Sequence, residues 1–170
     1  MISKTMQKAF NDQINAELYS EYYYLAMSAY CESIDLQGFA KWMMMQSQEE
    51  RSHAMLLYEF LLDRDGQVEL AAIAKPQGKF KSILDMFEHV LEHEKHVTKL
   101  IHDLYALAVK ENDYAAQVEL QWFISEQVEE EKTAKDIIAQ LKWVGDKSTA
   151  LFMLDQKMAG RPAEDEEEEN

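Results

Sequence analysis

The stretch QSQEERSHAMLL, residues 46–57, puts Gln46, Glu50 and His53 on positions where a packed helix favours Leu or Ile. Followed outward in alternating three- and four-residue steps, the same line reads Phe39, Met43, Gln46, Glu50, His53, Leu57 and Phe60. It is an apolar helical seam with a polar middle. Three other stretches repeat the pattern. One reads Met6, Phe10, Gln13, Glu17, Ser20, Tyr24 and Met27, and the next Ile83, Phe87, Val90, Glu94, Val97, Ile101, Leu104 and Ala108. The last reads Ala116, Leu120, Phe123, Gln127, Glu130, Ala134, Ile137 and Leu141. A carboxylate buried alone costs several kcal/mol or gives up its charge, so acids at the centre of four seams call for a cation. Each interruption lies near the middle of its helix. They therefore fall at one height whichever way each helix runs, and they can converge on one point.

The chemistry of the donors narrows the cation. Glu17, Glu50, Glu94 and Glu130 bring four negative charges, which two divalent ions neutralise, and His53 adds one imidazole. Oxygen ligands with a single imidazole and no thiolate suit iron or manganese better than structural zinc. Glu50 and His53, three apart on one helix face, can reach the same ion, and Glu50 can bridge to a second ion held by Glu94 and Glu130.

Composition sets the frame for that site. With 170 residues, 47% of them hydrophobic, and only two Pro and five Gly, the chain fits one helical domain with a sizeable core. A single cysteine, Cys31, excludes a disulfide within the chain and a Cys-rich metal site, and favours a reducing compartment. No apolar run reaches signal-peptide or membrane-span length, so the expected location is the cytoplasm with no membrane partner. A net charge of −15 disfavours nucleic acid and favours attraction of cations.

Helix signals and breakers predict helices over about 3–34, 36–64, 82–110, 113–144 and a shorter one over 149–159. Asp65-Gly66 stops the second, and Ser82 with Asp85 forms a capping box that opens the third. Residues 66–81, with Pro76 and Gly78, form a long crossover. At about 3.3 Å per residue, roughly 15 residues reach the ~42 Å length of a 28-residue helix, so the second and third helices can run parallel. The short connections force antiparallel neighbours. The expected fold is all-α: a four-helix bundle with one long crossover and a short fifth C-terminal helix. It occupies residues 1–160 and is followed by an acidic, disordered tail over 161–170.

The order and spacing of Glu17, Glu50-Arg51-Ser52-His53, Glu94 and Gln127-x-x-Glu130 resemble the di-iron ferroxidase centre of the bacterial non-haem ferritins, over about residues 1–160. The resemblance implies a ferritin-like bundle in which Glu17, Glu50 and His53 hold one iron, and Glu50, Glu94 and Glu130 the other. It places a third iron at Glu49, Glu126 and Glu129 with Glu130 shared, Gln127 close to the second iron, and Tyr24 beside the centre as a redox participant. It also implies a homo-oligomeric shell of 24 subunits that oxidises Fe2+ with dioxygen or peroxide and stores a ferric mineral. Bacterioferritins would need His at position 130 and a haem-ligating Met at position 52, where this chain has Glu130 and Ser52, so no haem is expected. A haem-containing store and a di-metal oxidase acting on an organic substrate remain as alternatives.

Plainer readings apply elsewhere. Glu49, Glu126 and Glu129, taken without the resemblance, read equally as exposed acids. Only Glu94 fits the seam of the third helix, so His89, His93, His96 and His102 read as surface or interface histidines. Tyr24 shares a seam with Glu17 and reads equally as core. Trp122 is expected near the centre without an assigned role.

Overall fold

The computed structural model describes residues 2–145 and 148–161. Among these are five helices and no strand: α1 Lys4–Ser33, α2 Gln37–Asp63, α3 Ile83–Lys110, α4 Tyr114–Val144 and α5 Ser148–Met158. α1 pairs with α2, α3 pairs with α4, and α5 lies against α2 with a smaller contact to α4. The architecture is a four-helix bundle with one long crossover and a short C-terminal helix. No helix among the described residues is long and apolar enough to cross a membrane.

Helix ends follow local side-chain chemistry. Ser3, Ser82 and Asp113 each accept a hydrogen bond from the backbone N–H three residues on, satisfying donors that the helix leaves unpaired. The box expected at Ser82 closes one residue earlier than drawn, because the Asp85 carboxylate accepts from Lys81 N–H. The sharp stops after α1, α2 and α3 use Asp35, Asp65 and Asn112 at φ of 59°, 57° and 55°. Asp and Asn tolerate this left-handed conformation better than other non-Gly residues. At the end of α2 the left-handed residue is Asp65, and Gly66 serves a different need: a Cβ there would stand 2.3 Å from Leu61 Cδ1. Gly66 N–H and Asp65 N–H then reach back to the carbonyls of Leu61 and Leu62.

The crossover is pinned rather than loose. Gln7, Asn11 and Asn15, one turn apart on α1, hydrogen-bond the backbone of Gln67, Glu69, Ala71 and Ala72 as it passes. Farther on, Phe80 stacks edge-on against Tyr30 near the end of α1. The chain thus travels the length of α1 before α3 begins, so α2 and α3 run parallel. A two-pronged Arg64–Asp113 ion pair at 3.0 and 3.1 Å ties the end of α2 to the turn between α3 and α4.

α5 docks where α2 lacks a cap of its own. Leu36 offers no side-chain acceptor, and the buried Asp155 of α5 takes the hydrogen bond from Phe39 N–H at 3.0 Å. The approach requires glycine: a Cβ on Gly38 would sit 1.7 Å from the Asp155 carbonyl oxygen.

The apolar core is in two parts. Met6, Phe10, Ile14, Leu57, Leu61, Val97, Ile101 and Leu120 belong to one end. Tyr24, Met27, Phe39, Met43, Phe87, Val90, Ile137 and Leu141 belong to the other. The interrupted seam positions lie between them, and every one is buried: Gln13, Glu17, Ser20, Gln46, Glu50, His53, Glu94, Gln127 and Glu130.

Candidate metal centre

Each helix of the bundle contributes its mid-seam group to one polar layer. α1 supplies Glu17, α2 supplies Glu50 and His53 one turn apart, α3 supplies Glu94, and α4 supplies Gln127 and Glu130. Glu17 and Glu94 are 1% exposed and Glu50 2%, so these acids are core residues and not a solvated face. The tightest group is Glu17, Glu50 and His53, whose ligand atoms lie within 4.8 Å of one another and could hold a metal ion.

Glu94 and Glu130 lie outside that tight group, although they share the layer. The Tyr24 hydroxyl and the Gln127 amide donate to the two oxygens of Glu94. Gln46 Nε2 donates to Glu130 Oε1 at 2.7 Å and to Glu50 Oε1 at 3.3 Å, so one amide joins the two halves of the expected pair. Gln13 donates to Glu17 at 2.7 Å. Gln13 and Gln46 therefore steer carboxylates. Their position gives the signal that sequence reasoning passed over, since each lies four residues before the acid it serves on the same seam.

Electrostatics reflects four acids drawn together in a buried layer. Burial, reinforced by the charge of Glu50, pushes the carboxyls of Glu17 and Glu94 from 4.5 up to about 8. Burial and the charges of Glu94 and Glu50 raise Glu130 well above the usual range. Burial also acts to raise Glu50, but the hydrogen bond and charge of His53, with help from Gln46, outweigh it and hold Glu50 below its ordinary value. Burial by itself would lower His53. Its contact with Glu50, at 3.5 Å through Nδ1, and the charges of Glu17 and Glu130 lift it to about 10 instead. In the metal-free chain the ring therefore favours its protonated form. Among the described residues, His53 Nε2 is the one buried side-chain polar atom without a hydrogen-bond partner. Trp122 lies edge-on to its ring at 5.2 Å.

Tyr24 is fully buried, and burial together with the charge of Glu94 raises its hydroxyl well above 10. It is the neutral donor to Glu94. The surface reading of the α3 histidines fails at His93. That ring is half-buried, hydrogen-bonded through Nε2 to Ser20 Oγ at 2.8 Å, and surrounded by Tyr19, Tyr23 and Tyr24. Burial lowers it to about 4, so it is neutral. It missed the seam because it enters between α1 and α3 rather than from the central line.

The three further acids occupy different settings. Glu49 is buried and paired with Arg161, Glu126 is half-buried, and Glu129 is exposed. Glu49 and Glu129 directly precede Glu50 and Glu130 in the chain, and the charge of Glu49 is felt at Glu130. The tail acids at 164–169 lie outside the described residues.

Comparison with known proteins accords with this arrangement. The ferritin-like domain family matches residues 7–144. A bacterial non-heme ferritin from Staphylococcus haemolyticus is 38% identical over 166 residues, spanning 98% of this chain and 100% of that protein. The Staphylococcus aureus non-heme ferritin is 37% identical over the same span. Among solved structures, the open-pore ferritin of the hyperthermophilic archaeon Archaeoglobus fulgidus superimposes with a TM-score of 0.94 at 47% identity, covering 95% of this chain and 100% of that one. With a family match over most of its length and relatives of this similarity, the chain belongs to the ferritin family.

Proposed function

We propose that the protein stores iron, oxidising Fe2+ to Fe3+ at the mid-bundle centre and depositing the product as ferric mineral inside a shell of copies of itself. The observation that carries the reading is the polar layer: four acids and one histidine, buried between two apolar half-cores, in a family of iron-storage proteins. Iron here is substrate and passes through. Glu17, Glu50 and His53 take one ferrous ion, Glu50, Glu94 and Glu130 the second, and dioxygen or peroxide accepts one electron from each.

The side chains prepare the site for that traffic. Binding displaces protons held by Glu17, Glu94 and His53, since a carboxylate and a neutral imidazole are what a metal requires. Gln13, Gln46 and Gln127 aim the carboxylates without adding charge. Tyr24, anchored on Glu94, is placed to lend an electron, with His93 next to it as a neutral neighbour. Glu49, Glu126 and Glu129 form a third cation site on the way out, with Glu130 shared. Neither the donor set nor the reaction calls for haem.

Assembly is supported by the surface. Trp143 is 90% exposed at the end of α4, Tyr114 and Val118 are exposed at its start, and Phe152 and Met153 are exposed on α5, which leaves apolar side chains at several places for contacts with other copies. The family's shell of 24 subunits gives these faces partners. Aerobic loading followed by mass measurement tests the reading. The expected result is a large closed particle holding far more iron per subunit than its carboxylates can ligate. A small oligomer with only two or three irons per subunit would instead favour a di-metal oxidase acting on an organic substrate.

A further inference from the structure

Beyond the centre, the segment after α5 delivers a cation of the protein's own. Asp155 and Gly38 dock α5 on the start of α2, and Lys41 Nζ holds the Ala159 carbonyl at 2.9 Å. The chain is thereby led along α2 toward the layer, and it brings Arg161 to Glu49. Arg161 Nη2 donates to Glu49 Oε1 and Oε2 at 2.7 and 2.5 Å, and Nη1 donates to Gln46 Oε1 at 2.8 Å. Its guanidinium lies over the Trp42 ring, 4.7 Å from the centroid, and its side chain is 24% exposed. A guanidinium that shares one nitrogen between both oxygens of a buried carboxylate, gives the other to an amide oxygen and stacks on an aromatic face is a committed contact and not a passing surface pair.

We propose that Arg161 is a resident counter-cation that gates the third cation site: it holds Glu49 in place of a metal ion, and a ferrous or ferric ion leaving the centre must displace it. The gate rests on the reading of Glu49, Glu126 and Glu129 as that third site. Two consequences follow from the contacts. While the guanidinium sits on Glu49, that carboxylate is not offered to a passing ion. When it swings away, Gln46 loses the donor that fixes its amide, because a guanidinium can only donate and so turns Gln46 Oε1 outward and Nε2 toward Glu130 and Glu50. Opening the gate therefore loosens Glu130 at the moment an ion moves past it.

The test is calorimetry of the assembled protein with Zn2+, a redox-inert divalent ion, comparing the parent with R161A, R161K, E49Q and the R161A/E49Q double variant. Arg161→Ala is expected to tighten the third, weakest ion by about tenfold, as removal of one charge-assisted competitor should, and Arg161→Lys by less. Glu49→Gln should weaken that ion and cancel the gain in the double variant. Arg51→Gln, which removes an equal charge from an exposed site on the helix that carries Glu49, should leave the third ion unchanged. A third ion bound equally well by R161A and the parent overturns the gate while leaving the third site standing. A third ion that binds none of the chains removes both, and an equal gain in R51Q shows general charge and overturns the gate.

Discussion

Replacing Glu50 or His53 with Ala is expected to slow initial Fe2+ oxidation by at least about 100-fold, since loss even of a ligand's supporting hydrogen bond commonly weakens a metal site by 10–100-fold. Glu50 is the acid that both halves of the proposed pair share. Its Oε2 faces His53 and its Oε1 receives Gln46, so its loss uncouples the Glu17 side from the Glu130 side. His53 is the one nitrogen ligand of the set, and Ala in its place leaves oxygen donors alone. Folding should survive both changes. Removing Glu50 takes a like charge away from Glu17, Glu94 and Glu130, each of which that charge destabilises. Stopped-flow absorbance after mixing with Fe2+ in air reads the rate, and particle mass reads assembly. Oxidation at the parent rate in an assembled Glu50→Ala variant would remove the centre from the reaction.

The second large effect is on stability against pH. Glu17 and Glu94 ionise near 4.5 in the unfolded chain and near 8 in the folded one, because burial and the neighbouring Glu50 charge oppose their ionisation. Between those values the folded chain holds more protons than the unfolded chain, so its stability falls as pH rises. His53 adds a fall of the same sign: its folded value of about 10 lies above 6.5, so the stability it contributes is complete below 6.5 and is lost on the way to 10. Glu50 and His93, both held low, work the opposite way: the contribution of Glu50 is lost only as pH drops below the ordinary carboxylate range, while that of His93 is lost as pH falls from 6.5 toward 4 and offsets part of the slope at its acid end. The metal-free protein should therefore melt lower at pH 8 than at pH 5, by on the order of 5–10 °C for a few kcal/mol. Saturating Zn2+ should restore more stability at pH 8 than at pH 5, because fewer protons then have to leave the ligands as the ion binds. Scanning calorimetry across this range, with Glu94→Gln as the control that flattens the slope, measures both. A metal-free melting temperature that rises from pH 5 to pH 8 would contradict the assignment of these groups to one buried cluster.

The bundle was legible because helical periodicity is a strong local signal. Phe39, Met43, Leu57 and their counterparts on the other helices all proved buried, and so did every polar position that broke the line. The convergence of the acids was legible for the same reason, since mid-helix positions must meet in a bundle. What escaped were contacts that depend on partners far away in the chain. Nothing near Leu36 announces that Asp155 will cap α2, and nothing in Gln7, Asn11 and Asn15 announces the backbone they bind some sixty residues on. Composition assigned Arg161 to the acidic tail, whereas its charge finds Glu49 and Gln46 once α5 has docked. His93 was set aside because periodicity sees only the central seam, and the crevice between α1 and α3 lies beside it. Glu94 and Glu130 show a further limit: spacing puts them in the layer, but their partners in the structure are Tyr24, Gln127 and Gln46.

Anomalous diffraction at the iron edge from crystals loaded anaerobically with Fe2+ tests the proposed centre most directly. Two ions per subunit are expected in the polar layer, one among Glu17, Glu50 and His53 and the other among Glu50, Glu94 and Glu130. A single ion confined to Glu17, Glu50 and His53, with Glu94 and Glu130 still held by Tyr24, Gln127 and Gln46, would contradict it.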